Sequence, residues 1–500
     1  MKRILFFLLF LVQSSLVFSD SNDPIQNLSK RVIEQTLPNG LKILILERDQ
    51  APLVSFQMMF KTGGVDEISG KTGLAHLFEH MLFKGTKTIG TKDYDKEKTV
   101  LEEIDKTALE ILEAESDAEK LNLEKIKALK KKMEALETEH QKWVIPEEYD
   151  QIYIRHGAEG LNAFTGKDMT GFVVSLPSNK WELYFLMESE RMKNPVLREF
   201  YKERDVVMEE RRMRYETAPQ GALWENFISL AFKAHPYASP TIGWSSDIKN
   251  LTLRDARRFF SEHYVSNNAT VVIVGDVRAK EVLEKFNAYF SSLSSGTLPS
   301  SYKTVEPPQS GEKRSLVNFD AEPSLLLGFK KPNPPHPDNF VMEMIEQLLS
   351  RGRSSRFYRN IVEKKIALSV WASNGNPGER YSNLIVFGGS PRKPFKNKDL
   401  EIAILQELDR LKKEKVSEQE LEKIRNQIEA DFIRNLSSNS GMASQLAYNQ
   451  VVLGDWKYLF QYLKKMRQVT PEELQASAQK YFVEDSKTVT FLERKSLKLP

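Results

Sequence analysis

The sequence predicts an α+β protein of two homologous sandwich domains. Each is a mainly antiparallel sheet covered by helices, and the first carries a long helical insertion. Three observations carry this reading. Short apolar, β-branched runs bounded by turn residues alternate with stretches of helical periodicity. Six positions recur at a constant offset of 218 residues: Leu251-Thr252, Tyr264-Val265 and Thr270-Val271 return as Val469-Thr470, Phe482-Val483 and Thr488-Val489. Such a repeat marks two related structural units. The 500 residues also exceed one ordinary domain.

In chain order, Lys2 and Arg3 precede an apolar run from Ile4 to Val12, then small and polar residues up to Ser19. This is the pattern of a secretory signal peptide over residues 1–19. The apolar run is shorter than the ~20 residues of a membrane-spanning helix. The expectation is therefore an exported protein, periplasmic or secreted, with no stable membrane anchor after cleavage. Residues 32–290 form the first domain, 291–309 a polar linker with Ser, Gly and Pro, and 310–500 the second domain, which lacks a metal site. Gln35-Thr36, Asn39-Gly40 and Leu41 to Leu46 read as strand, turn and strand. Ser55 to Lys61 is a strand, and Gly73 to Phe83 a helix. From Thr91 to Ile145 there is no Gly or Pro, and Leu101, Ile104, Ala108 and Ile111 keep helical spacing. One rod of that length would separate its ends by tens of ångströms at about 1.5 Å per residue. A helical hairpin over about 92–145, turning near Ser116-Asp117, keeps the flanking elements in one core. Thr165 to Leu176 reads as a strand pair or one long strand, Pro177 to Met192 as a helix, and Val196 to Thr217 as a helix stopped by Pro219. Leu253 to Tyr264 is a helix leading into the buried strand Ala269 to Gly275.

Composition narrows the function classes. Apolar residues make up 40% and charged residues 28%, with a net charge of +3. No basic stripe with interleaved aromatics is present, which speaks against a nucleic-acid binder. The chain has no cysteine. That excludes disulfides, thiolate zinc sites, cysteine nucleophiles and a lipid anchor on cysteine, so any metal must take His and carboxylate ligands.

The strongest chemical signal is His76-Leu77-Phe78-Glu79-His80. Positions i and i+4 of a helix share a face, so both imidazoles can reach one ion. The intervening Glu79 can take a proton from an attacking water and pass it to a leaving amine. A catalytic zinc ion, Zn2+, usually takes three protein ligands. Glu203 and Glu210 lie seven residues apart on one helix face. One of them can bind metal while the other orients a ligand imidazole, and spacing alone leaves open which does what. A solvated acidic face reads the same way.

The segment Gly73 to Thr86 closely resembles the core motif of the pitrilysin/insulinase family of metallopeptidases, which includes the mitochondrial processing peptidases. Leu161-Asn162-Ala163-Phe164-Thr165 looks like that family's Leu-Asn-Ala-aromatic-Thr strand, and Glu203 to Glu210 like its third-ligand helix. The similarity runs, with gaps, from about residue 32 to the C-terminus. It implies that His76, His80 and Glu210 are zinc ligands, that Glu79 is the general base and that Glu203 supports a histidine. It also implies that Asn162, Ala163 and Phe164 lie on the strand against which an extended peptide substrate docks. The helical segment is an insertion relative to the mitochondrial enzymes, and similar insertions occur in exported bacterial members. Family members often carry an Arg and a Tyr seven residues apart in the C-terminal half, and the matching places here are Ile361 and Leu368. Neither side chain donates a hydrogen bond. The implied reading is a zinc endopeptidase acting on peptides or unfolded segments, as the zinc-bearing subunit of a heterodimer whose partner carries the Arg/Tyr pair. The alternative is a non-catalytic scaffold subunit of the same fold.

Overall fold

The computed structural model describes residues 24–116, 122–299 and 303–494. The expected signal peptide lies outside the described residues, as does part of the linker. Among the described residues, no helix is long and apolar enough to cross a membrane.

Two sheets organise the chain. The first contains β1 (Ile33–Thr36), β2 (Lys42–Glu47), β3 (Leu53–Phe60), β4 (Glu159–Thr165), β5 (Thr170–Pro177) and β6 (Ala269–Gly275). Its order is β1-β2-β6-β3-β5-β4. The second contains β7 (Lys313–Asn318), β8 (Ser324–Lys331), β9 (Ala367–Asn376), β10 (Asn383–Pro391) and β11 (Lys487–Glu493), ordered β7-β11-β8-β10-β9. Each sheet has one parallel pair, β2–β6 and β7–β11, among antiparallel neighbours. The sequence repeat falls on equivalent places. Thr270 pairs with Lys42 on β2, and Thr488 pairs with Lys313 on β7. The helices leading into β6 and β11, Leu253–His263 and Pro471–Tyr481, both open on a threonine capping box: Thr252 with Asp255 and Thr470 with Glu473. Each box satisfies backbone N–H groups that the first turn leaves unpaired. Both helices end on a buried aromatic residue, Tyr264 or Phe482, with ψ of 56°.

All seven residues of β6 are buried, because both faces of the first sheet are covered. Val271 and Ile273 point into a core with Phe56, Met58, Leu77, Phe78 and Phe185. Val272 and Val274, with Leu44, Leu46 and Met59, face the other way and join the core of the second domain. There the helix Asn439–Tyr448 lies against β3 and β6. Gln57 donates to Ser444, and the Asn439 amide donates to the Leu53 carbonyl at 3.1 Å. The first domain reciprocates: the helix Pro219–Ala231 packs on β7 and β11, and Phe227 is buried with Leu326, Val386 and Leu492. Each half thus covers the other's sheet. Asp168, 5% exposed, adds a polar staple. Its carboxylate accepts from the backbone N–H of Glu379 and of Arg380 (2.5 and 3.0 Å) and from the Tyr237 hydroxyl at 2.6 Å.

The insertion folds back as a pair of packed helices, Tyr94–Ser116 and Leu123–Gln141. The turn expected near Ser116-Asp117 lies outside the described residues apart from Ser116. The boundary at Pro219 differs from the sequence reading. The helix Phe200–Arg211 runs into a π-turn over Arg212–Glu216, and Pro219 opens the next helix. Proline tolerates a first-turn position because no intrahelical partner awaits its missing N–H.

Candidate metal centre and substrate groove

The motif helix, Leu74–Met81, is fixed by its apolar face: Leu74, Ala75, Leu77, Phe78 and Met81 are all buried. Gly73 caps it at φ +86°, a left-handed conformation that side chains disfavour. The Glu67 carboxylate accepts from the N–H groups of Gly73 and Ala75 at 3.0 and 2.7 Å. It thus satisfies donors that the helix start leaves unpaired. His76, Glu79 and His80 occupy the remaining face. Opposite, the helix Phe200–Arg211 anchors through Phe200, Tyr201 and Val207 and presents Glu203 and Glu210.

These elements bring His76, His80 and Glu210 together, with one ligand atom from each within 4.8 Å of the other two. Among the described residues this is the only such group of His and carboxylate side chains. Both imidazole Nε2 atoms lie 3.6 Å from Glu210 Oε2. That is too long for a hydrogen bond. It is close to the separation of about 3.4 Å between two tetrahedral ligands bound at about 2.1 Å, so the three groups fit a zinc ion. Around them, His80 Nδ1 donates to Glu203 Oε1 at 2.9 Å, which leaves Nε2 turned toward Glu210. Lys84 Nζ approaches Glu203 Oε2 at 2.7 Å and Glu199 Oε2 at 3.3 Å. Arg214 approaches Glu210 Oε1 at 3.0 Å. His76 Nδ1 is buried and has no hydrogen-bond partner among the described residues.

The electrostatics follow from burial and these contacts. Burial, with His80 and Arg214 nearby, lowers His76 to about 3, so its imidazole is neutral and free to ligate. Burial alone would raise Glu203; the hydrogen bonds from His80 and Lys84 outweigh it and hold that carboxylate at about 2. Glu79 moves the other way, because burial raises it against the hydrogen bond it accepts from the Thr165 hydroxyl at 2.5 Å. A carboxylate shifted upward is better matched to proton transfer near neutral pH. Exchanging Glu203 for Gln removes the charge that orients His80. Zinc affinity should fall about 10–100-fold, read by chelator competition, and unchanged affinity would remove Glu203 from this role.

A groove of about 560 Å³ opens beside the cluster, lined by Glu79, His80, Lys84, Asn162, Ala163 and Glu203. β4 is its edge: it pairs with β5 on one side and ends the sheet on the other. Ala163 packs toward the core under the motif helix, whereas Phe164 belongs to the core on the opposite face of the sheet, which Met59 also joins. Phe164 is half-buried and is not among the residues lining the groove. In the second domain, Ile361 is 1% exposed and packs in the core, while Leu368 on edge strand β9 is 61% exposed. Thr165, Lys84 and Glu199 complete the surroundings of the site without having been singled out from sequence. Thr165 closes the Leu161–Thr165 stretch, and Lys84 follows His80 by one helical turn.

Comparison with known proteins gives the family and the fold. The family model described as "Insulinase (Peptidase family M16)" matches residues 42–136, and that described as "Peptidase M16 inactive domain" matches residues 250–428. The chain belongs to the insulinase peptidase family. Among its insulinase-family relatives is the zinc protease PqqE of Helicobacter pylori, 28% identical over 466 residues, covering 91% of each chain. A crystal structure of a protease from Helicobacter pylori superposes with a TM-score of 0.78 at 28% identity, covering 92% of this chain and 99% of that one. The first half of the periplasmic protease PqqL from Escherichia coli shares the insulinase fold. Its TM-score is 0.67 at 18% identity, over 93% of this chain and 92% of that one.

Proposed function

We propose that this protein is a zinc-dependent endopeptidase of peptides or unfolded segments, with His76, His80 and Glu210 as the ligands and Glu79 as the general base. The observation that carries this reading is the convergence of the two imidazoles and Glu210 beside Glu79, on the wall of a groove edged by an unpaired strand. A zinc ion held there supplies Lewis-acid polarisation of water and of the scissile carbonyl. The protein supplies the rest. Glu79, steadied by Thr165, accepts a proton from the attacking water and returns it to the leaving amine. Backbone groups of β4 from Asn162 to Phe164 pair with the extended substrate and set its register. Residues 32–290 and 310–500 are its two units, released from a signal peptide at 1–19 into the periplasm or medium.

The buried Ile361 and exposed Leu368 support a divided site, in which a partner chain contributes the Arg and Tyr that grip substrate. The expected result is weak cleavage of a quenched peptide by the purified zinc-loaded chain and a large gain on adding such a partner. Full activity of the chain alone would sink the divided site and leave the zinc reading intact. A chain that binds no zinc and cleaves nothing with any partner would favour the scaffold alternative.

A further inference from the structure

Sharing no residue with the metal centre, the second domain carries a half-open cavity of about 390 Å³ among the helices Asp338–Ser350, Glu418–Ser437, Asn439–Tyr448 and Tyr458–Gln468. Four carboxylates line it, and apart from Asp431 three lack an ion-pair partner among the described residues: Glu343, Glu346 and Glu379. Each has one oxygen engaged, by the Tyr462 hydroxyl, the Asn374 N–H and the Tyr448 hydroxyl respectively. Their other oxygens accept no hydrogen bond from any described residue, and none of the three sits in an ion pair among them. The buried cation whose field reaches all three is Lys331, and its ammonium is already turned to Asn339 Oδ1 at 2.5 Å. Arg351 at the cavity is paired with Asp431. Three carboxylates thus stand against one ammonium. Burial raises Glu343 and Glu346 to about 7 and raises Glu379, a cost that a bound cation would relieve.

A second observation is independent of charge. Asn339 and Asn449 line the cavity and are each 5% exposed. Asn449 uses its Nδ2 on the Gln445 carbonyl, while its Oδ1 accepts nothing from the described residues. Asn339 spends its Oδ1 on Lys331 and Asn374, and its Nδ2 donates to none of them. The Asn374 Oδ1 and Tyr458 hydroxyl on the same walls are buried without partners among the described residues. Buried polar atoms left unsatisfied are rare and point to a missing partner. The rings of Phe340, Tyr448, Tyr458 and Tyr462 supply π-faces, which attract cations and cover alkyl stems. The carboxylates do not converge as ligands of one metal ion, since the only such convergence among the described residues is at His76, His80 and Glu210. Donors spread over several ångströms suit them better.

We propose that this cavity binds an organic cation, an alkylammonium or guanidinium group with more than one N–H donor, carried either by a free small amine or by a basic side chain of a peptide. The two sources share one chemistry, and titration calorimetry of the full chain at mildly alkaline pH separates them. Agmatine is the free probe, a blocked tripeptide with central Arg the peptide probe, and a neutral urea analogue of agmatine the control. Saturable binding of either cation and not of the control is the expected result, and which of the two binds identifies the source. Glu346→Gln should weaken that binding about tenfold, in line with one charge-assisted hydrogen bond. Glu343→Gln is the second variant, should the first not fold. Equal binding of the neutral analogue, unchanged affinity in a folded variant, or binding by neither cation would overturn the proposal and leave a water-filled cavity.

Discussion

Glu79→Gln should abolish peptide cleavage, lowering kcat by about 10²–10⁴-fold, the usual share of a positioned general base, while zinc content stays at the wild-type level. The separation of these two readouts follows from geometry. Glu79 lies on the motif helix between the two imidazoles but is not among the three groups whose donor atoms converge. Its carboxylate engages Thr165 instead. An amide there accepts the same hydrogen bond and takes up nearly the same volume, but it cannot take a proton from water. His76→Ala provides the contrast, since it removes a ligand and should cost metal and activity together. Cleavage by Glu79→Gln at the wild-type rate would assign proton transfer to another group. Loss of zinc in that variant would make Glu79 part of the metal-holding set.

Local chemistry was legible in the sequence to the extent that it was local. His76, Glu79 and His80 are spaced by one helical turn, so the pattern itself specifies their common face. Glu203 and Glu210 share a face too, but which one turns between the two imidazoles is decided by the packing of Phe200, Tyr201 and Val207, and spacing does not encode that. The repeat at an offset of 218 residues was visible because capping threonines and buried β-branched positions recur in kind. The exchange of helices between halves was not. Pro219 looks like a stop from upstream and is in fact a start, and nothing in the segment from Pro219 to Ala231 names the sheet it covers. Phe164 shows the same limit at one residue. Its place on β4 was readable, but strand neighbours alternate, and the sequence does not say that its side chain takes the face opposite Ala163 and leaves the groove lining.

The insertion is tied to the site through a buried polar clamp, and breaking it should be the most destabilising single change near the metal centre. Glu97, His140 and Arg198 are 0%, 2% and 1% exposed. Arg198 grips both Glu97 oxygens, at 2.6 and 3.0 Å, and His140 Nε2 lies 2.9 Å from Oε1. Arg198 also donates to the carbonyls of Lys84 and Ile89 at 3.0 and 3.2 Å and to that of Thr86, which holds the loop leaving the motif helix. Glu97→Ala strands the guanidinium in the interior and should cost about 3–5 kcal/mol, read as a lower urea midpoint. Burial would raise Glu97, but the hydrogen bonds from His140 and Arg198 prevail and lower it. Its contribution is therefore fully present above the ordinary carboxylate pKa of about 4.3 and is lost as pH falls through the lower folded value. The wild type should lose that increment on acidification, and Glu97→Ala should show no such step. Because the gripped loop carries Lys84, and Lys84 reaches Glu203, the same variant should also weaken zinc binding. A variant with wild-type midpoint and zinc affinity would reduce the insertion to an independent appendage.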